Sequence, residues 1–258
     1  MLIGALNHPQ RDPIHEIREF AALGLDFVDL TLEPPAASSW TVDPAAIRAV
    51  LEETGMGVVG HTPYYLPIES PFEEVRKGAV AELRRCLKAF SKLGAKAMNV
   101  HPGFYAPMHS RSFSVERNLV SLRELQKEAR SLGMALMVEN APGHFNTADQ
   151  LGEILDALPE IGLHLDVGHS NLMVPENTCC EILAVYGERL CHVHLHDNKG
   201  GDADLHLPLG VGNIDFPHEL AAVKACGYDG TITLEVFADD RAYLTHSRDV
   251  LRQIWDSL

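Results

Sequence analysis

Histidine, aspartate and glutamate recur in this sequence where Val-, Ile- and Leu-rich runs end. His61, His101, Glu139, Asp166 and Glu235 each close such a run. In Cys191-His192-Val193-His194-Leu195-His196 the types alternate, which in an extended strand turns the three histidines toward one face. His169, Asp204 and His206 follow in the loops just beyond. A single His or Glu in such a place is usually a hydrogen-bonded polar group. Six successive runs ending in ligand types are better explained by metal, because carboxylates gathered at one mouth repel one another and divalent cations remove that cost. A mixture of imidazole and carboxylate with no soft thiolate suits Zn²⁺, with Mn²⁺, Fe²⁺ or Co²⁺ as alternatives. One layer deeper, His164, His192, Asn99 and Thr233 read as a polar layer that orients the ligands. His8, His15, His109, His144, His218 and His246 read as loop or surface residues. Tyr64, Tyr65, Phe104 and Tyr105 are placed either to wall a substrate pocket or to pack the loops.

The elements that hold these residues alternate between strand and helix patterns along the chain, as in repeated βαβ units. Strands are expected at Leu2–Asn7, Phe27–Leu32, Gly57–His61, Ala97–His101, Ala135–Glu139, Ile161–Asp166, Leu190–His196 and Gly230–Glu235. Helix starts are marked by Asp12-Pro13, Asp43-Pro44 and the capping box Ser70-Pro71-Phe72-Glu73, and helix ends by Gly24, Gly55, Gly94, Gly133 and Gly227. Eight units with no Pro/Gly/Ser-rich spacer predict an α/β fold: one (β/α)8 barrel, a single domain over residues 1–258. In such a barrel the chemistry gathers at the C-terminal ends of the strands, where the ligand types fall.

Composition narrows the function. The chain has 258 residues, is 46% apolar and carries a formal net charge of −15 with no basic run. That disfavours extended contact with a phosphate backbone, which is driven by Lys and Arg. No apolar run is long enough to cross a membrane, and the first residues read as a strand, not a signal peptide. Five cysteines without CxxC spacing fit a reduced, cytoplasmic protein.

The strings Gly60-His61-Thr62-Pro63-Tyr64, Asn99-Val100-His101-Pro102-Gly103, Val138-Glu139-Asn140, Leu165-Asp166-Val167-Gly168-His169, His194-Leu195-His196-Asp197-Asn198-Lys199, Asp204-Leu205-His206 and Leu234-Glu235 resemble the motifs of the endonuclease IV/xylose isomerase-like TIM-barrel superfamily. The resemblance implies three zinc ions: His61 and His101 on one, with Glu139 bridging to a second that also takes Asp166, His194 and Glu235. A third would take His169, Asp204 and His206. Sugar epimerases of the superfamily use a smaller set, matched here by Glu139, Asp166, His194 and Glu235, with Glu139 and Glu235 as the catalytic pair. The stretch Glu33–Trp40 after the second strand holds no Arg or Lys, unlike the DNA-gripping loop of endonuclease IV enzymes. Four carboxylates against three divalent ions leave a charge of about +2, suited to a phosphate group. The expectation is a zinc-dependent phosphoester hydrolase acting on a sugar-phosphate-like compound or an abasic nucleic acid, the latter disfavoured by charge. The alternative is a sugar or sugar-phosphate isomerase/epimerase. Tyr64 and Lys199 are candidate substrate contacts, and the Gly210-Val211-Gly212 turn is read first as structural.

Overall fold

A computed structural model of the chain describes residues 1–104 and 108–258. Tyr105, one of the candidate pocket residues, lies outside them. Strands β1 (Leu2–Leu6), β2 (Phe27–Thr31), β3 (Gly57–His61), β4 (Ala97–Val100), β5 (Ala135–Glu139), β6 (Gly162–Asp166), β7 (Leu190–Leu195) and β8 (Thr231–Leu234) follow one another in sequence order around a closed parallel barrel. They alternate with α1 (Pro13–Ala22), α2 (Pro44–Thr54), α3 (Glu73–Leu93), α4 (Arg111–Ser131), α5 (Ala148–Leu155), α6 (Cys179–Tyr186), α7 (Phe216–Ala225) and α8 (Ala242–Ser257). This is the (β/α)8 fold that the alternation predicts, with strand ends within one residue of expectation. The chain groups into two compact units.

One unit comprises Leu6–Glu139 with Gly152–Gly162. Within it β2 pairs with β3 so that Thr31 lies beside His61, and β4 with β5 so that Asn99 lies beside Met137. Strand residues such as Val28, Leu30, Met98 and Val138 are buried whichever way they point, as expected for strands covered on both faces. Asp12 and Asp43 cap their helices, Asp12 accepting from the Ile14 amide and Asp43 from those of Ala45 and Ala46. The expected capping box at Ser70 does not form. Ser70 Oγ accepts from the Phe72 amide in a local turn, α3 starts at Glu73, and the Glu73 side chain is drawn to Arg76 and Arg117. Charged partners from outside the segment outbid the local cap.

The other unit comprises Met1–Ala5, Asn140–Leu151 and Leu163–Leu258. Here β1 pairs with β8, β8 with β7 and β7 with β6. The register sets Asp166 beside His194 and His194 beside Thr233. A register shift at Leu163/His164 precedes that row. The expected left-handed glycines are present: Gly24, Gly55, Gly94, Gly133 and Gly227 all have φ between 68° and 87°.

Gly60 is a glycine for a different reason. A Cβ there would sit 2.7 Å from Cδ2 of the fully buried Phe90 ring, next to His61. Gly60→Ala is therefore expected to destabilise the fold by roughly 1–3 kcal/mol through overpacking, read by urea denaturation. Phe90→Leu in the same chain should return part of that loss; a neutral Gly60→Ala would contradict the close packing.

Candidate functional site

Ligand-type side chains gather at the strand ends of both units. In the first unit, His61 ends β3, His101 lies one residue past β4 and Glu139 ends β5. All three are buried, with relative exposures of 7%, 8% and 1%. His101 Nε2 is 2.9 Å and His61 Nε2 3.8 Å from Glu139 Oε2. Thr31 Oγ1 lies 3.0 Å from His61 Nδ1, which turns Nε2 toward the carboxylate. Asn99 Nδ2 donates to the same Glu139 oxygen at 2.9 Å, and Asn99 Oδ1 is fixed by the Thr62 amide. Asn99 therefore fixes the orientation of the Glu139 carboxylate. His101 Nδ1 is buried and has no hydrogen-bond partner among the described residues. One ligand atom from each of the three residues falls within a 4.8 Å span, the spread that one ion can gather.

In the second unit the group is larger. Asp166 ends β6, and its backbone is clamped by Asn140, whose Oδ1 accepts the Asp166 amide and whose Nδ2 donates to the Asp166 carbonyl. His194 Nδ1 stands 3.1 Å from Glu235 Oε2 and 3.9 Å from Asp166 Oδ2. Asp204 is ringed by imidazoles. Its Oδ2 is 3.3 Å from His169 Nε2 and 3.1 Å from His206 Nε2, and its Oδ1 is 3.5 Å from His196 Nε2. The other nitrogen of two of these rings is tied to a carbonyl: His169 Nδ1 donates to Asn140 O and His206 Nδ1 to Glu235 O. Bonds of this kind fix the orientation of each ring and turn its Nε2 toward Asp204.

His206 shows how tightly this loop is determined. It is a non-glycine residue at φ 45°, a conformation that costs of order 1–3 kcal/mol. Its ring is sandwiched between His196 and Phe237, with centroids 4.1 Å away on each side, and the Phe237 amide donates to its carbonyl.

His196 shares the β7 alternation with His192 and His194 and is not in the ligand set that the resemblance implies. It lies one residue past β7, fully buried, and its Nε2 is also 3.4 Å from Asp166 Oδ1. Neither of its ring nitrogens makes a hydrogen bond among the described residues. Gly168 makes room for it, since a Cβ there would come within 2.2 Å of His196 Nε2. Period-two alternation on β7 was the signal that could have added His196 to the ligand set. Phe237, by contrast, carries no local pattern that announces its stacking role. In the deeper layer, His192 bonds to Thr231 and Thr233, while the His164 ring packs edge-on against His194.

Lys199 is exposed, and Tyr64 is 64% exposed against Tyr65. The amides of Gly210 and Gly212 donate to Asp197 Oδ2, so the turn is structural and its amides are committed.

Electrostatics follow from burial and neighbours. Burial works to raise Asp204, but hydrogen bonds and charge from His169 and His206 hold it well below the ordinary carboxylate range. Burial opposes the charged form of His206, yet Glu235 and Asp204 push it up to about 9. Glu235 is lowered against its own burial by His206 and His194. The donor set fits a divalent ion: imidazoles turned by hydrogen bonds on their outer nitrogens, buried ring nitrogens of His101 and His196 with no hydrogen bond among the described residues, and Asp204 and Glu235 held ionised by their neighbours.

Comparison with known proteins agrees with this architecture. Residues 17–254 match the family model described as the xylose isomerase-like TIM barrel. Two uncharacterized proteins of Methanocaldococcus jannaschii are similar, one 33% identical over 69% of this chain and 64% of its own length, the other 30% identical over 58% and 59%. The chain thus matches about three fifths of those relatives' length. A probable endonuclease 4 of Mycobacterium ulcerans is 29% identical over 93% of this chain and 95% of its own. Among solved structures, a D-tagatose 3-epimerase-like protein superposes with a TM-score of 0.90 at 25% identity, covering 100% of this chain and 98% of that one.

Because His206 is protonated near neutrality in the metal-free protein, an ion must displace that proton to bind there. Apparent Co²⁺ affinity, measured by competition with a chromophoric chelator, should rise about tenfold per pH unit between roughly pH 7 and 9 and then level off. His206→Gln should flatten that slope. Affinity independent of pH in the unsubstituted protein would contradict the assignment.

Proposed function

The chain belongs to the xylose isomerase-like TIM-barrel family, and on that premise we propose that it is a divalent-metal-dependent enzyme hydrolysing a phosphoester of a small, sugar-phosphate-like substrate. The observation that carries this reading is the Asp204 group, in which His169, His196 and His206 all turn a ring nitrogen to one carboxylate. An epimerase working with only Glu139, Asp166, His194 and Glu235 leaves that group without a task. It also leaves a left-handed histidine maintained for nothing. The metal ligands are assigned as His61, His101 and Glu139 in one unit and Asp166, His169, His194, Asp204, His206 and Glu235 in the other, with His196 added to the second group. Divalent ions held by these residues would supply Lewis-acid charge for the oxygens of a phosphate.

The chain's own residues do the rest. Asn99 holds the Glu139 carboxylate in one orientation. The neighbouring His206 and His194 keep Glu235 ionised, so it can accept a proton. Asn140 fixes the Asp166 backbone with its side chain and the His169 ring with its carbonyl. A long nucleic acid is disfavoured as substrate by the net charge of −15 and by the absence of Lys and Arg from Glu33–Trp40.

A second reading is favoured by one observation, the close superposition on the D-tagatose 3-epimerase-like protein. It assigns to Glu139 and Glu235 the exchange of a carbon-bound proton on a sugar. Asp204→Ala separates the two. For the hydrolase, phosphate release from a panel of sugar phosphates should fall at least about a hundredfold, as losses of site residues at metal centres do. Unchanged turnover in that variant, together with solvent deuterium incorporated into a ketose, would overturn the hydrolase and establish the epimerase.

A further inference from the structure

Two cysteines, a histidine and a glutamate gather where α6 meets α7, on helices that take no part in the groups above. Cys179 and Cys180 open α6, and His218 and Glu219 lie in the first turn of α7. Asp215 caps α7 by accepting from the His218 amide, which fixes the backbone that carries both residues. Cys180 Sγ is 3.5 Å from His218 Nε2 and 3.4 Å from Glu219 Oε2. A tetrahedron with a metal–sulfur bond of about 2.3 Å and metal–nitrogen or metal–oxygen bonds of about 2.0–2.1 Å has edges of about 3.5 Å between sulfur and either atom. The observed separations match those edges.

Charge gives a second, independent reason. Glu219 is 5% exposed, and its carboxylate faces two thiols, Cys180 and Cys179. Among the described residues it forms no ion pair with Lys or Arg. A buried carboxylate with only weak thiol donors is poorly compensated. The thiols suffer in turn: burial first, then the Glu219 charge, pushes Cys180 up to about 11. A cation seated between thiol and carboxylate would relieve both.

We propose that Cys180, His218 and Glu219 form a peripheral site for a borderline-soft divalent ion of the Zn²⁺ or Co²⁺ type, with the fourth position open to solvent. Binding replaces the Cys180 Sγ–H proton, which passes to water, and the thiolate, the imidazole and the carboxylate become the ligands. The site staples the start of α6 to the start of α7. It is independent of the reading of the barrel groups, whose ligands include no sulfur.

That difference in ligands makes the test selective. Co²⁺ added to the reduced full chain should produce a thiolate-to-cobalt charge-transfer band in the near ultraviolet, because only a sulfur ligand yields one. The band should vanish in Cys180→Ser and weaken at least about tenfold in apparent affinity in His218→Ala, where an exposed side chain is removed. It should persist in Asp204→Ala. A wild-type chain without the band, or a band that survives Cys180→Ser, would overturn the proposal. So would loss of the band in Asp204→Ala with the fold intact by circular dichroism.

Discussion

Carboxylates buried at the ends of strands set the terms for this protein. Glu139, Asp166 and Glu235 are almost wholly removed from solvent. A carboxylate taken out of water is costly unless it is paired or bound to a cation. Here each faces imidazole: His61 and His101 for Glu139, His194 and His206 for Glu235, and His169, His194 and His196 for Asp166. The outer nitrogens of several of those rings are held by hydrogen bonds: His61 Nδ1 to the Thr31 hydroxyl, and His169 Nδ1 and His206 Nδ1 by donating to the Asn140 and Glu235 carbonyls. The inner nitrogens are left facing the carboxylates. Polar groups arranged in this order, with hydrogen-bond partners behind and ring nitrogens and carboxylates in front, are costly in a protein interior unless a cation is the intended guest.

Much else follows from keeping those groups in place. Gly168 is small because His196 occupies the space a side chain would need. Asn140 follows Glu139 in sequence but serves the second unit, tying the Asp166 backbone and the His169 ring. Phe237, largely exposed, lies flat on His206 and helps hold a backbone conformation that histidine rarely takes. Asp197 gathers the amides of Gly210 and Gly212, shaping the segment that returns toward α7.

The architecture was legible because it is periodic. Apolar runs ending in ligand types, Asp-Pro helix starts and glycine stops placed all eight strands to within a residue. The ligand types themselves were legible because each sits at a strand end or just beyond it. What escaped depends on contacts between distant segments. Ser70 and Glu73 have the spacing of a capping box, but Arg76 and Arg117 claim the glutamate. His196 shares the β7 alternation with His194, yet its place in the Asp204 group is fixed by loops that fold back over it. Cys180 and His218 are 38 positions apart, and nothing local links them before α6 and α7 pack together.

The central claim is that both groups of imidazoles and carboxylates hold divalent ions. Anomalous diffraction at the zinc edge from crystals grown with zinc tests it most directly, because it locates ions instead of counting them. The account predicts one peak among His61, His101 and Glu139, and two in the other unit, one against Asp166, His194 and Glu235 and one against His169, Asp204 and His206. A chain that shows no peak beside Asp204 and His206, at full zinc occupancy elsewhere, would contradict it.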